Sequence, residues 1–398
     1  MYLFLAYDAK LLENSETRMQ AKLKLTLIPA AVALAFAGSA AAQQVVKIGH
    51  VAPISGPSAH LGKDNENAAR MAVDELNAKP FTINGQKVTL QLVSEDDGAD
   101  PKQGTAVAQK LVDAHVNGVI GHLNSGTTVP ASKIYNDAGI VQISPATTAP
   151  AYTRQHFPGA FRVVASDAKL GGTLAKYAAN TINAKNIAVI DDRTTYGQGV
   201  ADEFVKGAKA AGIRVSGREF TNDKATDYTA ILTSIKAKKP DLVFFGGMDS
   251  VAGPMLKQMK ALGIQAIFMG GDGMCTEALG RLAGDGLVDG KVICAEAGGV
   301  KGPQEKAMDD FRARYRKKFN QDVQLYAPYV YDSVMVMTTA MQNAKSADPA
   351  RYLPALKAIK YEGVTGTIQF DQNGDIKDGA LTLYTYKGGK RSKIDVVR

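Results

Sequence analysis

Gly121-His-Leu-Asn-Ser-Gly-Thr-Thr-Val-Pro130, followed by Gly139-Ile-Val-Gln-Ile-Ser-Pro-Ala-Thr-Thr-Ala-Pro150, is the stretch on which the fold is read. Each half opens as a short apolar run of strand character, Val119-Ile120-Gly121 and Ile140-Val141-Gln142-Ile143. Each run ends in Ser, Thr and Gly, and the first then leads into a segment of helical character over residues 129–138. A strand, a hydroxyl-rich loop and a helix N-terminus together make a holder for a small anion. The first amides of a helix lack internal partners and carry partial positive charge, and nearby hydroxyls add donors. Two such loops so close in sequence imply one carboxylate held from two neighbouring strand ends. The plainer reading is that Ser125, Thr127 and Thr128 only cap a helix.

Outward from this stretch the same alternation repeats. Residues 45–53 are β-branched and read as a strand; Ala69, Ala72, Val73 and Leu76 then recur at helical spacing. Asn84-Gly85 signals a hairpin before the strand over residues 87–93, and Asp100-Pro101 opens a helix. A second series begins at Ser166-Asp167. Its strands are residues 186–190, 214–220, 241–247 and 266–272, with amphipathic helices between them, such as Tyr228, Ile231, Leu232 and Ile235. Strict β–α alternation predicts an α/β protein with parallel sheets and helices on both faces. The length divides it into two lobes. Beyond residue 295 three helices follow in succession (304–319, 327–344 and 349–360), then strands at 366–370 and 381–386. The lobes are therefore expected to be discontinuous, with residues 43–165 and 296–372 in the first and 166–295 and 373–398 in the second.

The 398 residues carry a net charge of +8, with Lys and Arg scattered among acids. The basic cluster over residues 312–318 lies on a helical segment and reads as a solvated face, and no motif for nucleic acid accompanies it. From Met19 the chain shows a basic start, an apolar run over residues 25–38 and Ser39-Ala40-Ala41-Ala42-Gln43. That pattern is a secretory signal peptide with cleavage expected after Ala42, and Met19 as the true start. Residues 43–398 are then exported and soluble. Two cysteines occur, Cys275 and Cys294. Export makes a disulfide between them plausible; two buried thiols are the alternative.

In a parallel sheet, ligands sit beyond the carboxyl ends of the strands. The polar groups there are Ser125, the Ala146, Thr147 and Thr148 loop, Tyr196, Met248, Asp249 and Asp272. Hydroxyls and helix amides from one lobe, facing an aromatic and a carboxylate from the other, suit a zwitterion. Its carboxylate would lie on Ser125 and Thr148 and its ammonium on Asp272. Taken singly, Asp272 reads as a turn residue in Gly270-Gly-Asp-Gly273, and Tyr196 as an aromatic at a helix start. No histidine pair has metal-ligand spacing, and no nucleophile elbow, P-loop or dinucleotide fingerprint occurs. No enzyme, cofactor or metal is expected.

These residues carry a resemblance. Gly121-His-Leu-Asn-Ser with Pro130-Ala-Ser-Lys-Ile-Tyr, Ile143-Ser-Pro-Ala-Thr-Thr-Ala-Pro150, Asp96-Asp-Gly-Ala-Asp-Pro-Lys-Gln103, Tyr196-Gly-Gln-Gly199 and Phe370-Asp-Gln-Asn-Gly-Asp375 resemble the periplasmic leucine/isoleucine/valine-binding protein family. The resemblance implies a type I periplasmic-binding fold: two Rossmann-like lobes, a three-strand hinge, and closure around an amino acid handed to an ABC permease. It implies a monomer in the periplasm. It also implies that Ser125, Ala146 and Thr148 hold the ligand's carboxylate and amine, that Tyr196 lines the cleft, and that Asp272 faces the ammonium. Asp272 stands where the family has Glu, Met248 and Leu61 where it has Tyr, and Ala99 and Asn124 where it has a disulfide. Leu61 and Met248 would give the pocket an aliphatic wall. The same fold also serves binders of amides, urea or aromatic acids and sensory modules, which form the competing reading.

Overall fold

The computed structural model describes residues 44–397, so the signal-peptide reading falls outside the described residues. Two sheets organise the chain. The first has six strands in the order Thr82–Ile83, Gln86–Asp96, Gln44–Ala52, Gly118–Gly121, Gln142–Ser144 and Ala160–Arg162; the second has seven, in the order Lys390–Val397, Leu381–Lys387, Val292–Glu296, Ile267–Gly270, Leu242–Gly246, Asn186–Asp191 and Arg214–Phe220.

In the first lobe, β1 (Gln44–Ala52) leads to α1 (Ala59–Asn77), then the hairpin β2 (Thr82–Ile83) and β3 (Gln86–Asp96). Next come α2 (Pro101–Asp113), β4 (Gly118–Gly121), α3 (Ser125–Asp137), β5 (Gln142–Ser144), the short α4 (Ala151–Arg154) and β6 (Ala160–Arg162). The α2 start follows local chemistry: the Asp100 side chain accepts from the amides of Lys102 and Gln103, and Pro101 occupies the first turn, where no amide is missed. Strands β1, β4, β5 and β6 run parallel, which brings the C-terminal ends of β4 and β5 side by side. Gly121 ends β4 at φ 134, and a Cβ there would lie 2.4 Å from the Val51 carbonyl oxygen, so only glycine fits that approach to β1.

The second lobe runs α5 (Asp167–Asn180), β7 (Asn186–Asp191), α6 (Thr195–Ala210), β8 (Arg214–Phe220), α7 (Thr229–Ala237), β9 (Leu242–Gly246), α8 (Asp249–Ala261), β10 (Ile267–Gly270), α9 (Ala278–Ala283) and β11 (Val292–Glu296). The chain then returns to the first lobe with α10 (Pro303–Phe319), α11 (Ala327–Asn343), α12 (Pro349–Lys357) and the small pair β12 (Tyr361–Gly363) and β13 (Gly366–Ile368). It closes in the second lobe with β14 (Leu381–Lys387) and β15 (Lys390–Val397). Every residue of β9 and β11 is buried, as expected of strands covered on both faces. Phe204 of α6 stacks on Phe244 of β9 at 3.8 Å between centroids, fixing helix to sheet.

The two sheets depart from the parallel pattern at their edges. β14 pairs antiparallel with β11 and with β15, and β2 pairs antiparallel with β3. The segments that pass between sheets lie side by side. The Ala165 amide donates to the Ala297 carbonyl at 2.9 Å, and the Arg162 amide to that of Gly374 at 3.0 Å. Three adjacent connections of this kind form a hinge, because small φ/ψ changes in a few residues tilt one packed lobe against the other.

Candidate functional site

The hydroxyl-rich loops meet where the sheet geometry directs them. Helix α3 begins at Ser125, earlier than the sequence pattern places it, with Pro130 accommodated inside the helix. Asn124 is its N-cap but makes no side-chain capping bond; the Thr127 and Thr128 amides donate to the Asn124 carbonyl, and those of Ser125 and Gly126 are left for another partner. Ser125 is buried, and its Oγ accepts from the Ala149 amide at 3.4 Å, tying the two loops together. Ser144 Oγ donates to the His122 carbonyl at 2.9 Å and accepts from the Thr147 amide at 2.9 Å.

Two networks hold these loops from behind. His122 is fully buried between Asp97 (Nδ1 to Oδ2, 2.9 Å) and the Tyr135 hydroxyl (Nε2 to oxygen, 3.0 Å). Arg162, also fully buried, donates from Nη1 to the carbonyls of Thr147 at 3.1 Å and Ala149 at 3.0 Å. Its Nη2 donates to Thr153 Oγ1 at 2.6 Å and its Nε to Asp375 of the hinge at 2.5 Å. A buried guanidinium needs this full set of acceptors to offset its desolvation. The result is a 147–149 loop with fixed carbonyls and therefore fixed amides.

Across the cleft, Asp272 follows β10. The Tyr196 hydroxyl donates to its Oδ1 at 2.8 Å and the Tyr326 hydroxyl to its Oδ2 at 2.9 Å; the Gly273 amide donates to the Tyr196 oxygen at 2.8 Å. Burial raises the Asp272 carboxyl to about 6, against the pull of both tyrosine hydroxyls. Tyr326 directly precedes α11, which packs on α1 and β4, so its bond to Asp272 joins the lobes. A second bond between lobes runs from His60 Nε2 to Asp249 Oδ2, 2.7 Å, and Thr276 Oγ1 donates to the same carboxylate.

Between these walls lies a small pocket lined by Leu123, Asn124, Ser125, Ala146, Tyr196, Met248 and Tyr326. Of the residues singled out in the sequence, Ser125, Ala146, Tyr196 and Met248 therefore face one space. Asp272 stands behind the two tyrosines. Thr147 is turned inward, its Oγ1 2.5 Å from that of Thr128 and donating to the Leu123 carbonyl at 3.3 Å. Thr148 Oγ1 is buried with no hydrogen-bond partner. Leu61 is fully buried in the core of the first lobe and does not line the cavity; its neighbour His60 reaches across instead. Cys275 and Cys294 are joined by a disulfide. Among the described residues no group of His, Cys, Asp and Glu converges as a metal site, and no helix is long and apolar enough to cross a membrane.

A family model described as "Periplasmic binding protein" matches residues 45–390, and the chain belongs to that family of substrate-binding proteins. It is 34% identical over 375 residues to the leucine-, isoleucine-, valine-, threonine- and alanine-binding protein of Pseudomonas aeruginosa, covering 93% of this chain and 98% of that one. Among solved structures, the branched-chain amino acid transporter substrate-binding protein LivJ of Streptococcus pneumoniae, in complex with isoleucine, aligns with a TM-score of 0.80 at 26% identity, covering 89% of this chain and 99% of that one. The leucine-binding protein LivK of Thermotoga maritima shares the fold, with a TM-score of 0.80 at 23% identity over 89% of this chain and 99% of that one. The type I periplasmic-binding fold with two lobes follows from these alignments and the sheet order.

Proposed function

We propose that this chain is an exported binding protein that captures a branched-chain amino acid (Leu, Ile or Val) between its lobes and delivers it to an ABC permease from the periplasm. The observation that carries the reading is the pairing across one cavity of an uncapped helix N-terminus at Ser125 with the Tyr196–Asp272–Tyr326 cluster. The first supplies amides and a hydroxyl for a carboxylate; the second supplies a buried carboxyl for an ammonium. Met248, Leu123 and Ala146 leave an apolar remainder, where each buried CH₂ contributes about 0.8 kcal/mol. The Pseudomonas aeruginosa relative, which binds leucine, isoleucine, valine, threonine and alanine, and the isoleucine-bound Streptococcus pneumoniae protein support an amino acid with an aliphatic side chain. The lobes are taken as residues 43–165 with 296–372, and 166–295 with 373–398, acting as a monomer; sheet membership supports these limits.

A second reading, an aromatic or other acid without an amine, draws on the fact that both Asp272 oxygens already accept a hydroxyl. Thermal shift of refolded residues 43–398 against the twenty amino acids, amides and aromatic acids separates the two. A ligand at 100 times its Kd stabilises by about 2.7 kcal/mol, a shift of a few degrees. Stabilisation by Leu, Ile or Val supports the first reading. Stabilisation only by ligands lacking an amine replaces it with the second.

A further inference from the structure

The hinge carries a cavity to which the amino-acid reading gives no task. It measures about 240 Å³ and shares no residue with the pocket between the lobes. All three connections line it: Val163 and Ala165 from the first, residues 297–299 from the second and residues 376–380 from the third. The first lobe completes it with Tyr329, Lys360, Thr365, Thr367 and Gln369. The Lys377 amide donates to the Gln369 carbonyl at 2.8 Å, so the third connection and the segment after β13 form one wall. The polar side chains of the lining divide into two sets. Three hydroxyls are already engaged: Tyr329 donates to Glu296 at 2.7 Å, Thr365 to Asp332 at 2.5 Å and Thr367 to Glu362 at 2.9 Å, and these three acids do not line the cavity. Lys360, Lys377, Asp378 and the Gln369 side-chain amide form the second set, and none of them has an ion-pair or side-chain hydrogen-bond partner among the described residues. Two ammoniums and one carboxylate leave the lining one negative charge short of balance. A concave site with that imbalance concentrates small anions.

We propose that this cavity is a second binding site, for a small oxyanion (a carboxylate or a phosphate), and that its occupant favours the closed protein. Lys360 and Lys377 hold the anion's oxygens by charge-assisted hydrogen bonds, and the Gln369 amide adds a neutral donor. The coupling follows from where these donors stand. Lys360 and Gln369 belong to the first lobe and Lys377 to the third connection, whose backbone angles change when the lobes part. In this structure the lobes are joined by the His60–Asp249 and Tyr326–Asp272 bonds, so the donors have the spacing of the closed state. An anion that fits this spacing binds the closed state better than the open one. By reciprocity it tightens the binding of the solute in the cleft by the same factor. The proposal goes beyond the amino-acid reading and takes from it only the closure of the lobes.

The test is calorimetric titration with L-leucine, L-isoleucine and L-valine in chloride, in inorganic phosphate and in succinate at equal ionic strength and pH. It is run on the wild type and on the double variant Lys360→Ala, Lys377→Ala. Both lysines are exposed, so the variant keeps the fold. The expected result is that phosphate or succinate lowers the wild-type Kd about fivefold or more, the lower end of coupling between distinct sites. The variant keeps the wild-type Kd in chloride and loses the effect. A response to only one of the two anions supports the site and names the chemistry it takes. Equal Kd values in all three salts, or a shift that survives in the variant, overturn the proposal and leave the amino-acid site standing. Failure of all three amino acids to bind removes the amino-acid reading instead, and the two anions are then titrated directly into both proteins. Saturable binding in the wild type that the variant lacks upholds the site, and no binding in the wild type overturns it.

Discussion

Replacing His60 by Ala tests whether the contact between lobes holds the cleft shut. His60 lies at the start of α1 in the first lobe, and Asp249 is the first residue of α8 in the second. Asp249 is fully buried; its Oδ2 is shared by His60 at 2.7 Å and Thr276 at 2.5 Å, and its Oδ1 has no partner. Loss of the imidazole thus removes one of two hydrogen bonds from a buried carboxylate. A hydrogen bond to a charged group contributes about 1.5–3 kcal/mol. Because it joins the lobes, that energy belongs to closure and appears in ligand affinity, so Kd should weaken roughly 10- to 150-fold. Burial pulls the His60 pKa down, but the hydrogen bond and charge of Asp249 outweigh it, and the net direction is upward from 6.5. A raised pKa in the closed state stabilises that state fully below the open-state value, and the benefit fades as pH rises through the closed-state value. Calorimetric Kd values for L-leucine at pH 6 and pH 8.5 should therefore differ between wild type and variant more at pH 6. An unchanged Kd at both values would refute the reasoning. A lowered Tm of the ligand-free variant with unchanged Kd would reassign His60 to the stability of a single state.

Asp272→Ala should weaken L-leucine binding by well over tenfold, because it leaves the ammonium and both tyrosine hydroxyls without their acceptor; equilibrium dialysis measures it. Replacing both cysteines by Ser should cost about 3 kcal/mol in denaturant unfolding, since the bridge spans 19 residues of sequence, with ligand selectivity unchanged. Gly62→Ala should destabilise the first lobe, because a Cβ there would lie 2.0 Å from the Pro53 carbonyl oxygen, a backbone atom that cannot rotate away. Urea unfolding should show a lower midpoint.

What was legible in the sequence was what is local. The strand–loop–helix units around Ser125 and Thr148 show in adjacent residues, and Asp100-Pro101 starts its helix where capping chemistry says it must. The helical pattern over residues 129–138 misses the first turn of α3. In the structure the helix begins at Ser125 and forgoes one internal bond at the proline. Strand β15 carries no strand signal in the sequence, because Lys390–Val397 opens on basic residues and is largely exposed, with no apolar run to mark it. Arg162, Tyr326 and His60 escaped for a different reason. Their partners Asp375, Asp272 and Asp249 lie 213, 54 and 189 residues away, and only packing of the two lobes brings them together. Leu61 shows the converse: its place in the chain suggests a cleft wall, but its side chain points into the core, as an apolar residue on the sheet-facing side of α1 should.

The central claim is that the cleft grips a zwitterion, carboxylate at Ser125 and ammonium at the Asp272 cluster. Calorimetric titration of refolded residues 43–398 with L-leucine and with 4-methylpentanoate, the same carbon skeleton without its amine, tests it most directly. The account predicts that leucine binds and that its deaminated analogue binds at least about tenfold more weakly, the worth of one charge-assisted hydrogen bond. Equal or tighter binding of 4-methylpentanoate would contradict it and leave Asp272 a structural partner of two tyrosines.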